Sequence, residues 1–134
     1  MFNPNSVISH INRNDSISTD SLFEGMYSEA RTISQLSNGA FDITVRPLVN
    51  AWGFGNNTQQ ILLPNIDSIK TFVGYEKIRL IDHRIIKDDE RITLDASAIA
   101  KGYACDVVAN LLRENGCKNL LVDIGGEVIL QGVN

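Results

Sequence analysis

The 134-residue sequence holds only two cysteines, Cys105 and Cys117, and two histidines, His10 and His83. Two cysteines cannot build the disulfide framework of a small secreted scaffold, and the pair reads as two small buried hydrophobes. Two histidines far apart in sequence argue against a zinc site and leave no Ser–His–Asp logic to follow. No apolar run approaches the roughly 18 residues of a membrane-spanning helix, and no basic-then-apolar leader pattern opens the sequence. Positive charge is sparse as well: 12 Lys and Arg against 16 Asp and Glu give a net charge of −4. Those basic residues are scattered, whereas nucleic acid and anionic membrane surfaces require them clustered. The one dense charged stretch, "DDER" at 88–91, reads as a solvated turn.

What is present is globular: 43% hydrophobic and 21% charged residues, enough chain for one domain with a real core. The sequence opens on a loop-like "MFNPNSVISHIN" and stops on "VILQGVN", straight out of a strand pattern; the expectation is an internal fragment, one partial domain over 1–134. After an aperiodic polar stretch to residue 20, helical spacing of Leu22, Met26, Ala30, Ile33 and Leu36 predicts a helix over 21–37. Asp20 or Ser21 can cap it and Asn38-Gly39 can stop it. Pro47 suits the start of a short helix through Trp52, Gly53 and Gly55 act as breakers, and another short helix fits 66–73. Three strands follow, "KIRLI", "RIIK" and "RITLD", turned at Asp82-His83 and Asp88-Asp89. A main helix is predicted over about 98–114, capped by Ser97, with Ala100, Ala104, Val107, Val108 and Leu111 as its apolar stripe. Two more strand-like runs, "NLLVDI" and "EVILQG", flank Gly125-Gly126, which suggests a bulge or a close backbone approach. Helices and mostly hairpin-linked strands indicate an α+β fold, a mixed or antiparallel sheet packed with helices.

Lys101 poses an electrostatic question. It falls in the first turn of the main helix, where unpaired N–H groups already concentrate positive charge. A helix start plus a lysine can receive an anion, with phosphate the usual occupant; the alternative is a surface lysine reaching into solvent. Gly102 beside it would admit a ligand or another backbone. Asp95, ending "RITLD", could pair Lys101, bind a sugar hydroxyl or a cation, or only support the helix start. Asp42 in "GAFD" sits by small Gly39 and Ala40, which leave room for a planar ligand, and by Phe41, which could stack on one; the alternative is a loop aspartate beside a core phenylalanine. Neither "WGFG" nor "DIGGE" has the strand-to-helix placement of a dinucleotide fingerprint.

Taken together, "SVISHIN", "GAFDITVRPLVNAWGFG" and "LDASAIAKGYACDVVANLLRENGCKNLLVDIGGEVILQG" closely resemble the ApbE family, the bacterial FAD:protein FMN transferases. The first corresponds to that family's Ser-x-x-Ser-x-x-Asn segment, and the resemblance runs over nearly the whole chain. It implies a T-fold-like α+β architecture. It also implies Mg²⁺-dependent transfer of FMN from FAD to a threonine hydroxyl of a target flavoprotein, with release of AMP. Within the family the alternative is hydrolysis of FAD to FMN and AMP; outside it stand a non-catalytic FAD-binding protein and an α+β interaction domain that has lost its ligand. By the same resemblance Ala40, Phe41, Asp42, Asp95 and Lys101 are expected to contact FAD. The Ala98 backbone carbonyl is expected to bind the metal, with the remaining ligands, an aspartate and a threonine, beyond residue 134. Arg46 stands where the family more often has a small residue. Expected partners are subunits of membrane redox complexes or other envelope flavoproteins, and no nucleic acid. The expected location is the bacterial envelope, periplasmic or lipid-anchored, with the signal or anchor cysteine upstream.

Overall fold

The computed structural model describes residues 3–54 and 64–133; Gly55, expected to act as a breaker, lies outside them. The chain divides into two compact units, one up to Asp95 and one from Ala96 onward, and each is described by itself.

The first unit opens with a helix that the sequence pattern did not announce, α1 (Val7–Asn12). Ser6 caps it by accepting from Ser9 N at 3.3 Å, and the Ser9 hydroxyl donates to the Asn3 carbonyl at 2.8 Å. Helix α2 (Ser21–Leu36) follows, capped by the Asp20 carboxylate on Phe23 N. It ends where expected, with Asn38 and Gly39 both left-handed and Gly39 N donating to the Ser34 carbonyl. Its inward face differs from the predicted stripe. Phe23, Met26, Tyr27, Ala30 and Ser34 are buried, whereas Leu22, Ile33 and Leu36 are exposed. The burial of Ser34 is invisible to an apolar count, because its hydroxyl is satisfied by donating to the Ala30 carbonyl.

Two short helices, α3 (Arg46–Ala51) and α4 (Ile66–Lys70), pack beside one another. A 3₁₀ turn at Tyr75–Lys77 leads into strands β1 (Ile78–Ile81) and β2 (Arg84–Lys87). These pair antiparallel, Ile81 opposite Arg84, around a two-residue turn at Asp82-His83 in which both residues have positive φ, the geometry such hairpins favour. Among the described residues the third expected strand, "RITLD", joins no sheet. Ile92 and Leu94 are nevertheless fully buried. The bonds that a strand neighbour would make to Leu94 are supplied instead by the Asn12 side chain, which accepts from Leu94 N at 2.6 Å and donates to Leu94 O at 2.9 Å. Ile11, Ile43, Ile78, Ile92 and Leu94 complete the core with the buried face of α2.

The second unit is a helix on a hairpin. Helix α5 (Ala100–Glu114) packs on β3 (Leu120–Ile124) and β4 (Glu127–Gln131), which pair antiparallel with Val122 opposite Ile129. Gly125-Gly126 forms the tight turn between them, both at positive φ, rather than a bulge. The core is Cys105, Ala109 and Val122, flanked by Leu112, Leu120, Ile124 and Ile129. The expected α5 stripe is thus displaced: Val108 and Leu111 face outward. Cys105 is the buried hydrophobe expected of it, but Cys117 is exposed; both are free thiols.

Candidate functional site

In the first unit the chain emerging from α2 is fixed by its own short polar side chains. Ser37 Oγ accepts from Phe41 N at 3.1 Å. Asp42 Oδ1 accepts from the backbone N and the hydroxyl of Thr44, both at 2.7 Å, and Oδ2 accepts from Tyr75 N at 2.8 Å. The Thr44 hydroxyl in turn accepts from Gly74 N at 2.7 Å. Three of the roughly four lone-pair sites of a carboxylate are thereby filled by protein donors. Ala40 is exposed and Phe41 half-buried, so this segment turns a methyl group and part of an aromatic ring outward. Asp95 lies against the same segment, its N–H donating to the Ile43 carbonyl at 2.7 Å, with Leu94 just before it held by Asn12. Three stretches remote in sequence, "SVISHIN", "GAFDI" and "TLD", are joined here.

In the second unit α5 begins later than predicted, and Ser97 is not its cap. Ile99 takes that place without a side-chain hydrogen bond, because residues 96–99 close a turn of their own, Ile99 N and Ala100 N both donating to the Ala96 carbonyl. Ala98 rides on that turn, exposed. Lys101 remains in the first helical turn, and the negative group it calls for is present. Its Nζ donates to the Gly125 carbonyl at 3.1 Å and lies 3.3 Å from Glu127 Oε1. Those two side chains are 50% and 52% exposed, so the ion pair is of the solvated kind worth at most about 1 kcal/mol. An anion of higher charge can exchange with Glu127, and an ammonium carries three donors. Gly125 adjoins this contact: a Cβ there would stand 3.2 Å from Lys101 Cδ. Around Gly102, by contrast, a Cβ would meet nothing within 4 Å among the described residues.

The described side chains do not fit a metal centre by themselves. Among them no group of three or more His, Cys, Asp or Glu could hold an ion, and a hard cation such as Mg²⁺ is rarely held by one backbone carbonyl alone.

Sequence reasoning missed Thr44, Tyr75 and Glu127. An Asp followed two residues later by Thr is the spacing of a side chain bonding its own backbone, so Thr44 could have been found; Glu127 left no local signal, since its partner is 26 residues away.

Residues 1–134, the entire chain, match the model of the ApbE family. This chain belongs to the ApbE family. A curated relative from Vibrio cholerae serotype O1, named FAD:protein FMN transferase, is 37% identical over 121 residues, covering 88% of this chain and 36% of that protein. Among solved structures, the flavin transferase ApbE of Vibrio cholerae superposes with a TM-score of 0.86 at 32% identity, covering 99% of this chain and 45% of the other. The apo flavinyl transferase ApbE of Pseudomonas stutzeri gives 0.84 at 27% identity, covering 97% and 45%. The ApbE chain thus spans less than half the length of each of these relatives, and the α+β fold expected of it is the one observed.

Proposed function

We propose that the whole protein to which this ApbE chain belongs transfers FMN from FAD to a threonine hydroxyl of a target flavoprotein, releasing AMP, with Mg²⁺ required. The observation that carries the reading is the match along the entire chain to a family whose curated relatives are named FAD:protein FMN transferase. The geometry agrees with it in kind. Lys101, at a helix start and held by the Gly125 carbonyl and a solvated pair with Glu127, is suited to hold the FAD pyrophosphate, the anion that such helix ends accept. Within the first unit Ala40 and the partly exposed Phe41 offer a small and an aromatic surface to a flavin, and Asp95 brings a carboxylate to that same segment. Magnesium would supply charge neutralisation on the phosphates; Ala98 would give it one backbone oxygen, and its other ligands are proposed to come from outside the described residues. Transfer of this type depends on positioning and electrostatics more than on a protein nucleophile, so the lack of a Ser–His–Asp pattern in the sequence is no objection. The acceptor is proposed to be an envelope flavoprotein, such as a membrane redox-complex subunit, with this protein beside it on the periplasmic side or lipid-anchored.

The test is product analysis on the whole protein with FAD, Mg²⁺ and candidate acceptors. AMP release together with flavin bound covalently to the acceptor is expected. Lys101→Ala should lower kcat/KM by about tenfold or more, the loss of one charged hydrogen bond. Free FMN without attachment would instead identify a pyrophosphatase, and FAD binding without AMP a flavin carrier.

A further inference from the structure

We infer that Thr44 is the positioning residue for the flavin-facing segment Ala40–Asp42, and that Asp42 acts on flavin binding through Thr44 rather than by touching the ligand. The inference rests on the reading above, which assigns that segment to FAD. Thr44 is completely buried, and its hydroxyl spends its one proton on Asp42 Oδ1 while accepting from Gly74 N, both at 2.7 Å. Asp42 is occupied on both oxygens: Oδ1 by the Thr44 backbone N and hydroxyl, Oδ2 by Tyr75 N. One hydroxyl and one carboxylate thereby join two segments that are 30 residues apart in sequence.

Every bond in this set points into the protein. Asp42 therefore has little left to offer a ligand, while the conformation it enforces is what presents Ala40 and Phe41. Gly74, with φ at 153°, lies at the other end, and its N–H is the donor that the Thr44 hydroxyl meets. A packing residue would need only the methyl group at this position; a positioning residue needs the oxygen.

The experiment uses the whole protein and FAD, with binding read by flavin fluorescence and kcat by AMP release, at a temperature where circular dichroism shows each variant folded. Thr44→Ser keeps the oxygen and should bind FAD within about twofold of wild type, whereas Thr44→Val, of equal shape without it, should bind about tenfold more weakly, as should Asp42→Asn. At saturating FAD, kcat should hold within about threefold, since the bound flavin reorders the segment. The double variant should be no weaker than the worse single one, because both changes undo the same knot. Wild-type affinity in a folded Thr44→Val protein overturns the inference. So does a double variant whose loss is the product of the single losses, which would place Asp42 on the flavin directly. Should Thr44→Val not fold, Thr44→Ala is measured in its place, and unchanged affinity there overturns the inference equally. Failure of the wild-type protein to bind FAD would instead sink the proposed function itself.

Discussion

The Asn12 amide makes to Leu94 the two bonds that a strand neighbour would make, at 2.6 and 2.9 Å. Like Gln, it offers an acceptor and a donor side by side on one planar amide, which matches the adjacent N–H and C=O of Leu94. Leu94 is fully buried, and its backbone groups would be left without partners by Asn12→Ala. That substitution should cost about 2–3 kcal/mol, two net hydrogen bonds plus desolvated groups left unsatisfied. Guanidinium unfolding of the whole protein checks it, and a loss below about 0.5 kcal/mol, the lower end for a single bond, would show that the clamp is dispensable. Asp89 tests charge in the same unit. The Arg91 side chain and backbone donate to its carboxylate, holding its pKa at about 2 against an ordinary 3.8. A depressed carboxylate stabilises the fold above its unfolded pKa and loses that contribution as pH falls to the folded value. The melting temperature should therefore fall less steeply between pH 3.8 and about 2 in Asp89→Asn than in wild type. The pair is exposed and the difference will be small; equal slopes would mean that Asp89 contributes nothing.

At the level of elements, what could be read from the sequence was what local chemistry decides. Helix α2 announced itself by an Asp cap and an Asn-Gly stop, and the first hairpin by alternation about Asp82-His83. Rotation about the helix axis was not legible, because both α2 and α5 carry apolar residues on more than one face. Partners such as Ser34 and Cys105, small and satisfied, won the interior over Ile33 and Leu111. The strand predicted at "RITLD" failed for a different reason, since no local signal says that a side chain 82 residues away will replace the ladder. Helix α1 was missed because six residues hold too little periodicity to see. Gly102 gives this scale its test. Gly within a helix costs about 1 kcal/mol relative to Ala, and among the described residues an added Cβ would meet nothing within 4 Å. Gly102→Ala should therefore stabilise the ligand-free protein by up to that amount in thermal unfolding. If FAD affinity falls at the same time, the glycine is there to let the ligand approach; if affinity holds, the position is only a helix-start glycine.

For the whole molecule, the candidate residues near Lys101 and Asp42 were legible as chemistry, but their partners were not, since Glu127, Tyr75 and Asn12 reach them only through the fold. The same limit governs the apolar surface. Opposite residues Leu121 and Leu130 of the β3–β4 hairpin are 65% and 71% exposed, and Val128 stands outward with them. Among the described residues each sheet has two strands, which in isolation is marginal, and open strand edges beside an apolar face invite pairing with another chain. Relatives of this family carry more than half their length outside the matched region. Two outcomes can then be stated for one substitution pair, Leu121→Lys with Leu130→Lys. In the 134-residue polypeptide alone, sedimentation should show association that rises with concentration in wild type and is weakened in the variant. Its melting temperature should be little changed, because neither leucine is buried. In the whole protein the same pair should cost about 2–5 kcal/mol if further chain covers this face, the range for losing two large apolar side chains from an interface and placing charges there. Unaltered stability in the whole protein would mean that the face stays open to solvent, and monomeric behaviour of the wild-type polypeptide at high concentration would mean that its apolar surface needs no cover at all.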